Sequence, residues 1–324
     1  MVGRVGQVCA PGQFLTCQIA GEPLLIIRGK DNVLRGFFNV CRHHAAAVMT
    51  EPEGRAEYLR CPYHGWTYDL QGTLVHTPEF SGVANFDRSE NGLVPVQIAE
   101  WQRWLFAKLE PGGPTLKEHF GKNLLERFEP LNLEQLRWFE RRHYRLNCNW
   151  KVFVDNYLDG GYHVQHIHGG LNSVLAPGKY AIETGEHFCL QSSPMVAGKA
   201  DTQTAAARTG KRALYYWIYP NFMINIYEGV MDTNLVIPLA VDRTEVIFDY
   251  YFADVSESAA ERNLASIAVS EQIQAEDVAI SESVQRGLAS RAYTTGRLSV
   301  RREAGEHLFH RLLYSDLKSA VAKE

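Results

Sequence analysis

Cys41-Arg42-His43 and, after seventeen intervening residues, Cys61-Pro62-Tyr63-His64-Gly65-Trp66-Thr67-Tyr68 are the two loops on which the reading of this chain turns. Each brings one thiolate and one imidazole. A zinc site can also use two cysteines and two histidines, but those pairs usually arrive as Cys-Cys and then His-His. Here the types alternate, which suits a [2Fe–2S] cluster with both thiolates on one iron and both imidazoles on the other. Neutral imidazoles leave less negative charge to oppose an added electron, so the potential rises and the task implied is one-electron transfer. Upstream, residues 14–40 run FLTCQI, AGEP, LLIIR, GKDN and VLRGFFNV, short apolar runs broken by turn residues. That is the pattern of β-hairpins, so the chain opens on an all-β module.

Together, CRH and CPYHGWTYDLQGTL resemble the Rieske domains of ring-hydroxylating and related oxygenases. Structural zinc is the alternative for the same four residues. His43 is followed by HAAAVM and His64 by GWTYDL, so neither loop carries the extra cysteine of the disulfide-bridged respiratory type. The resemblance therefore implies the lower-potential oxygenase type. His44 and His76 lie off the ligand spacing and are read as surface residues or supports to the ligands. Cys9, Cys17, Cys148 and Cys189 have no partner spacing and are expected as small buried apolar residues.

With 324 residues, 45% hydrophobic and 22% charged, and a formal charge of -4, the composition is that of an ordinary globular protein. No basic excess suggests a nucleic-acid partner. No apolar run approaches the roughly 18 to 20 residues of a membrane span, so no membrane partner is expected. The start, MVGRVGQVCAPGQF, has neither signal-peptide nor transit-peptide character, and the protein is expected in the cytoplasm. PGGPT at Pro111 to Thr115 is the clearest break, giving a cluster domain at 1–110 and a second domain at 111–324. Residues 116–140 have helical spacing.

In the second domain, Asp155 to His168 reads DNYLDGGYHVQHIH and sets three histidines and two acids among apolar residues, a costly arrangement unless they are paired or bound to metal. His163 and His168, with Asn156 upstream, resemble the mononuclear iron motif of the same oxygenases. Two imidazoles and one carboxylate on one face of an iron leave the opposite positions open for dioxygen and substrate. His166 falls at another interval and is read as a pocket or supporting residue. For the carboxylate, Val269, Ile273, Asp277, Ile280, Val284 and Leu288 follow at helical intervals, and Asp277 is the only charge on that stripe. A salt bridge to an arginine would also explain it. The segment AEDVAISESVQRG, however, resembles the one that carries the iron-binding carboxylate in these enzymes. Most family members have an acid three residues before the first iron-binding histidine, linking the cluster of one subunit to the iron of its neighbour. Gly160 stands there in this chain, which leaves Asp159 and Asp155 as the alternatives.

Residues 213–252 are rich in β-branched and aromatic side chains and read as antiparallel strands. Their Tyr and Trp residues are either sheet core or, for Trp217, Tyr219 and Tyr227, part of an aromatic cage for a quaternary ammonium group. Glu228 or Asp232 would add negative charge. IYPNFMINIY and MDTNLVIPL resemble the choline monooxygenase-like members. From about Gly6 to Leu317 the chain follows the family, which usually has a few dozen further residues before the segment VGRVGQV.

This resemblance implies an α+β fold, with an N-terminal all-β Rieske domain and a C-terminal antiparallel-sheet catalytic domain with helices, of helix-grip type. It implies a [2Fe–2S] cluster at Cys41, His43, Cys61 and His64, a mononuclear Fe(II) at His163, His168 and Asp277, and dioxygen as co-substrate. NAD(P)H would supply electrons indirectly, because no nucleotide-binding fingerprint is present and a separate flavin/iron-sulfur reductase or ferredoxin is required. The implied reaction is oxidation of a small quaternary ammonium compound, either choline to betaine aldehyde or N-demethylation of a betaine, in a homotrimer. An aromatic-ring or aromatic-acid oxygenase and a plain Rieske electron carrier are the alternatives.

Overall fold

Short alternating strands with tight turns build the first part of the chain, as the hairpin pattern predicts. The structure, a computed structural model, describes residues 1–196 and 203–321. It divides into two units, Met1–Leu116 and Lys117–Glu324. In the first unit, seven short strands form one antiparallel sheet, and Leu59–Arg60, Thr67–Tyr68 and Leu74–His76 form a small second one. Phe14, Leu25, Ile27, Trp66, Tyr68 and Leu74 make a buried core that includes both Cys41 and Cys61.

Seven strands of the second unit form one antiparallel sheet, in the order Arg137–Leu146, Arg243–Phe252, Val230–Ala240, Phe222–Tyr227, Arg212–Ile218, Phe188–Pro194, Ala181–Thr184. Helical spacing after residue 116 is realised only within Leu116–Phe128, as two short helical stretches separated at Gly121, whose φ of 72° is not helical. Pro130 lies in a short 3-10 turn and Asn132 takes a left-handed φ of 49°, which ends the helical course before the strand at Arg137.

Three helices shape the interior of this unit. Trp150–Leu158 starts where Asn149 accepts a hydrogen bond from the Lys151 N–H at 3.2 Å. Its residues Val152, Phe153, Val154 and Leu158 join Trp217, Met223, Phe248 and Phe309 in the main core of this unit. Ala304–Val321 supplies Phe309, which is fully buried. The long helix Ala260–Leu288 differs from its expected stripe. Its buried face holds Asn263, Ser266, Ile267, Val269, Ser270, Gln274 and Ser281, while Val284 and Leu288 are 43% and 45% exposed. A mostly polar buried face does not arise from core packing alone; here Ser270 and Gln274 border a cavity. Among the described residues no helix is long and apolar enough to cross a membrane. Cys148 and Cys189 are buried as expected, whereas Cys17 is half-buried and Cys9 exposed.

Candidate metal centres and cavity

The two Cys-His loops of the first unit are built alike. The Cys41 carbonyl accepts from Ala45 N–H at 3.0 Å, and the Cys41 N–H donates to the Ala46 carbonyl at 2.8 Å. In the second loop, the Cys61 carbonyl accepts from Gly65 N–H at 3.1 Å and the Cys61 N–H donates to the Trp66 carbonyl at 2.9 Å. Ala45 and Gly65, the fourth residue after each cysteine, both take positive φ, 60° and 73°. The two turns match in backbone geometry, although the histidine read as ligand stands two residues after Cys41 and three after Cys61. The cysteines are buried at 3% and 2% exposure, while His64 is exposed and His43 half-exposed. Nδ1 of His43 is buried without a hydrogen-bond partner among the described residues, which suits a metal ligand. Tyr68 accepts from Arg42 N–H at 3.0 Å, which leaves its own proton to donate to the Cys41 sulfur 3.5 Å away. Such a hydrogen bond to a cluster ligand raises the reduction potential. His44 lies beside this set, its ring 4.0 Å from that of His43.

In the second unit the structure brings His163, His168 and Asp277 together. Nε2 of His163 lies 3.0 Å from Nε2 of His168, and Asp277 Oδ1 lies 3.1 Å from the latter and 3.8 Å from the former. Neighbouring ligands around one ion at roughly 2.1 Å stand about 3 Å apart, so the set has the dimensions of one face of a metal site. The surroundings agree. Nδ1 of His163 is 2.5 Å from Asp159 Oδ2, and Nδ1 of His168 is 2.6 Å from Glu276 Oε2. A carboxylate at Nδ1 keeps the proton on that nitrogen. Both Nε2 lone pairs then converge with a carboxylate oxygen, an arrangement that a cation relieves. Asn156 donates to Asp277 Oδ1 at 2.7 Å and fixes its orientation. Sequence reasoning misses Glu276, although it is the acid immediately before Asp277.

Local geometry explains Gly160. The helix ends at Leu158, and Gly160 and Gly161 turn the chain with φ of 69° and 66°. A Cβ at residue 160 would sit within 2.1 Å of the Arg302 carbonyl oxygen and 2.6 Å of an Ile182 methyl, so no acid fits there. Asp159, one residue earlier, accepts from the backbone N–H groups of Tyr162 and His163 at 3.1 and 2.9 Å as well as facing the His163 ring. Asp155 is held instead by His310 Nε2 at 2.9 Å. His166 is exposed.

A cavity opens beside the three ligands. One wall is a cross-strand row, Gln191, Tyr215, Asn225 and Asp232, each paired with the next across the sheet. Asp232 is 3% exposed and accepts from Asn225 and Asn234 side-chain amides at 2.6 and 3.3 Å. Burial pushes its carboxyl above the usual range, opposed by the Arg208 charge and the two amides. Of the aromatic residues expected around a ligand, only Tyr227 lines this cavity, joined by Tyr215 and Tyr180. Trp217 and Tyr219 do not. Trp217 shares a strand face with Tyr215 but lies two residues further on, about 7 Å away, where Phe309 covers it at a ring distance of 5.6 Å. Tyr219 follows the strand and donates its hydroxyl proton to Asp316 at 2.6 Å. Glu228 is exposed, so the acid of the cavity wall is Asp232.

Ligands suited to a one-electron centre in one unit and to an oxygen-activating iron in the other define an iron-dependent oxygenase. Comparison with known proteins agrees. The model of the ring hydroxylating alpha subunit catalytic domain matches residues 133–318, and that of the Rieske [2Fe-2S] domain matches residues 1–87. Choline monooxygenase of Arabidopsis thaliana chloroplasts is 38% identical over 98% of this chain and 76% of its own length. The carnitine monooxygenase oxygenase subunit of Escherichia coli strain K12 is 30% identical, over 90% of this chain and 78% of its own. The crystal structure of a quaternary ammonium Rieske monooxygenase in complex with its substrate L-carnitine matches with a TM-score of 0.83 at 26% identity, over 97% of this chain and 88% of that one. The chain belongs to the family of Rieske oxygenase alpha subunits. The two-domain α+β fold, the [2Fe–2S] cluster and the non-haem iron are those of that family.

Proposed function

We propose that the protein is a monooxygenase that oxidises a small quaternary ammonium compound, with electrons from a separate flavin/iron-sulfur reductase or ferredoxin. The observation that carries this reading is the cavity beside His163, His168 and Asp277, walled by Tyr180, Tyr215, Tyr227 and the buried Asp232. Ring faces attract a trimethylammonium group by roughly 0.5 to 2 kcal/mol each when desolvated, and Asp232 adds an opposite charge. An uncharged aromatic substrate has no use for that acid. The similarity to choline and carnitine monooxygenases points the same way.

In this reading Cys41, His43, Cys61 and His64 hold the cluster, and His163, His168 and Asp277 hold the iron. Iron bound there supplies dioxygen activation. Around it, Asp159 and Glu276 keep the Nδ1 protons of the two histidines in place, and Asn156 keeps Asp277 oriented. The tyrosine wall excludes water and presents a methyl group or an alcohol carbon to the iron. Hydroxylation of an N-methyl group gives a hemiaminal that loses formaldehyde; hydroxylation of an alcohol carbon gives an aldehyde hydrate. Reductase-coupled oxygen uptake across choline, glycine betaine, γ-butyrobetaine, L-carnitine, benzoate and phthalate tests the proposal, with aldehyde and formaldehyde measured separately. Uptake with the aromatic acids alone would overturn it.

Asp159 also replaces the missing acid at Gly160 as the link between cluster and iron. Asp159→Asn is expected to lower turnover about 10- to 100-fold with both metal centres loaded. In a single turnover, reoxidation of the reduced cluster slows by the same factor. Unchanged reoxidation would leave Asp159 without that role. The proposal includes a homotrimer in the cytoplasm; a monomer in sedimentation, or recovery with a membrane fraction, would count against those two points.

A further inference from the structure

Arg208 lines the same cavity as His163, His168 and Asp277, and its side chain is only 3% exposed. A guanidinium stays charged even when buried, and a buried charge is costly without an opposite one. Its hydrogen-bond and ring partners are neutral: the Ser266 and Ser270 hydroxyl oxygens at 2.5 Å each, the Ala207 and Ser266 carbonyls at 3.4 Å each, and the Tyr227 ring, whose centroid lies 4.9 Å from the guanidinium carbon. Among the described residues no carboxylate lies within ion-pair distance of it, and its Nε–H has no acceptor. Asp232, the buried acid of the same cavity, is held by Asn225 and Asn234 instead. Arg208 and Asp232 therefore line one cavity and interact through space, with no hydrogen bond between them among the described residues.

From this we infer that Arg208 receives the carboxylate of a zwitterionic substrate, and that the enzyme prefers carboxylate-bearing quaternary amines to the cationic alcohol choline. The inference rests on the quaternary ammonium reading of the site and deepens it. A betaine-type compound completes both charges, its carboxylate at Arg208 and its ammonium group towards Asp232 and the tyrosines. Choline answers only Asp232 and brings a second positive charge near Arg208. One face of Tyr227 is already taken by the guanidinium, which leaves Tyr180 and Tyr215 freer to receive a trimethylammonium group. Ser270 precedes Asp277 by seven residues on the long helix, about 10 Å along its axis. Arg208 thus stands well apart from the iron ligands, where it reads the far end of a substrate.

The test compares choline with glycine betaine, γ-butyrobetaine and L-carnitine on the fully loaded enzyme. At least one carboxylated compound is expected to exceed choline in kcat/KM by about 100-fold. In Arg208→Gln, KM for that compound rises about 100-fold, the carboxylate-to-alcohol selectivity collapses, and Arg208→Lys restores part of it. Protection of the protein against thermal unfolding by the carboxylated compound is lost in step. A structural role alone would lower both substrates alike, and that result, or a wild-type preference for choline, overturns the inference while leaving the proposed function standing. Should no quaternary amine support oxygen uptake, the proposed function itself falls, and this inference with it.

Discussion

His163→Ala is expected to reduce substrate-dependent oxygen uptake to background, a loss of more than about 1000-fold, because two ligands no longer define a face on which dioxygen and substrate can meet. Removing the imidazole side chain leaves His168 Nε2 and Asp277 Oδ1, 3.1 Å apart, as the remaining pair. Asp159 keeps its backbone donors from residues 162 and 163, so the local turn survives. Iron content should fall from about three per chain to about two, and the visible spectrum of the cluster should persist. Metal analysis, absorption spectra and oxygen uptake on one preparation decide the matter. Retained turnover would sink the assignment of the iron site.

Cys61→Ala is the complementary experiment. Cys61 is 2% exposed, and its loop is held by the Trp66 carbonyl and Gly65 N–H independently of any metal. An iron that loses one of its two thiolates is left open to exchange and reduction, and one thiolate with two imidazoles does not retain the cluster. The expected result is loss of the visible bands, loss of about two irons per chain and abolition of reductase-driven turnover. Because metal binding is folding free energy, the first unit should also melt at lower temperature. Iron bound in the second unit should stay near one per chain. The two variants thus lose different irons, and a cluster that survives Cys61→Ala would place the electron-transfer centre elsewhere.

Much of both metal sites is legible in the sequence because their ligands are close along the chain. Cys41 with His43 and Cys61 with His64 each sit within a single turn, and His163 with His168 within another. Local backbone geometry brings such pairs together whatever the rest of the fold does. Asp277 stands out on a helical stripe, yet that stripe is not the one the structure buries. Val284 and Leu288 are exposed, and serines, Asn263 and Gln274 take up most of the inner face. A charge on an apolar face marks the residue, while of the polar inner face Ser270 and Gln274 border the cavity and Asn263 instead donates to the Asp254 carbonyl.

Pocket residues are less legible. Trp217 and Tyr219 have the right chemistry and the wrong position, since a two-residue step along a strand separates cavity from core. Arg208 looks in the sequence like any other arginine; only its burial against Ser266 and Ser270, 58 and 62 residues away, distinguishes it. Gly160 is an unexplained departure in the sequence, and the close approach of the Arg302 backbone shows that no side chain fits there.

By itself the sequence pointed to the all-β first module and to the candidate ligands Cys41, His43, Cys61, His64, His163 and His168, because these depend on residue type and short spacing. Tertiary structure alone decided which side chains face the substrate. That choice comes from strand register: Gln191, Tyr215, Asn225 and Asp232 come from four strands, and pairing across the sheet sets them in one row. A shift of one residue in any strand would turn its member of the row to the opposite face, and no periodicity within a strand records which partner it will meet.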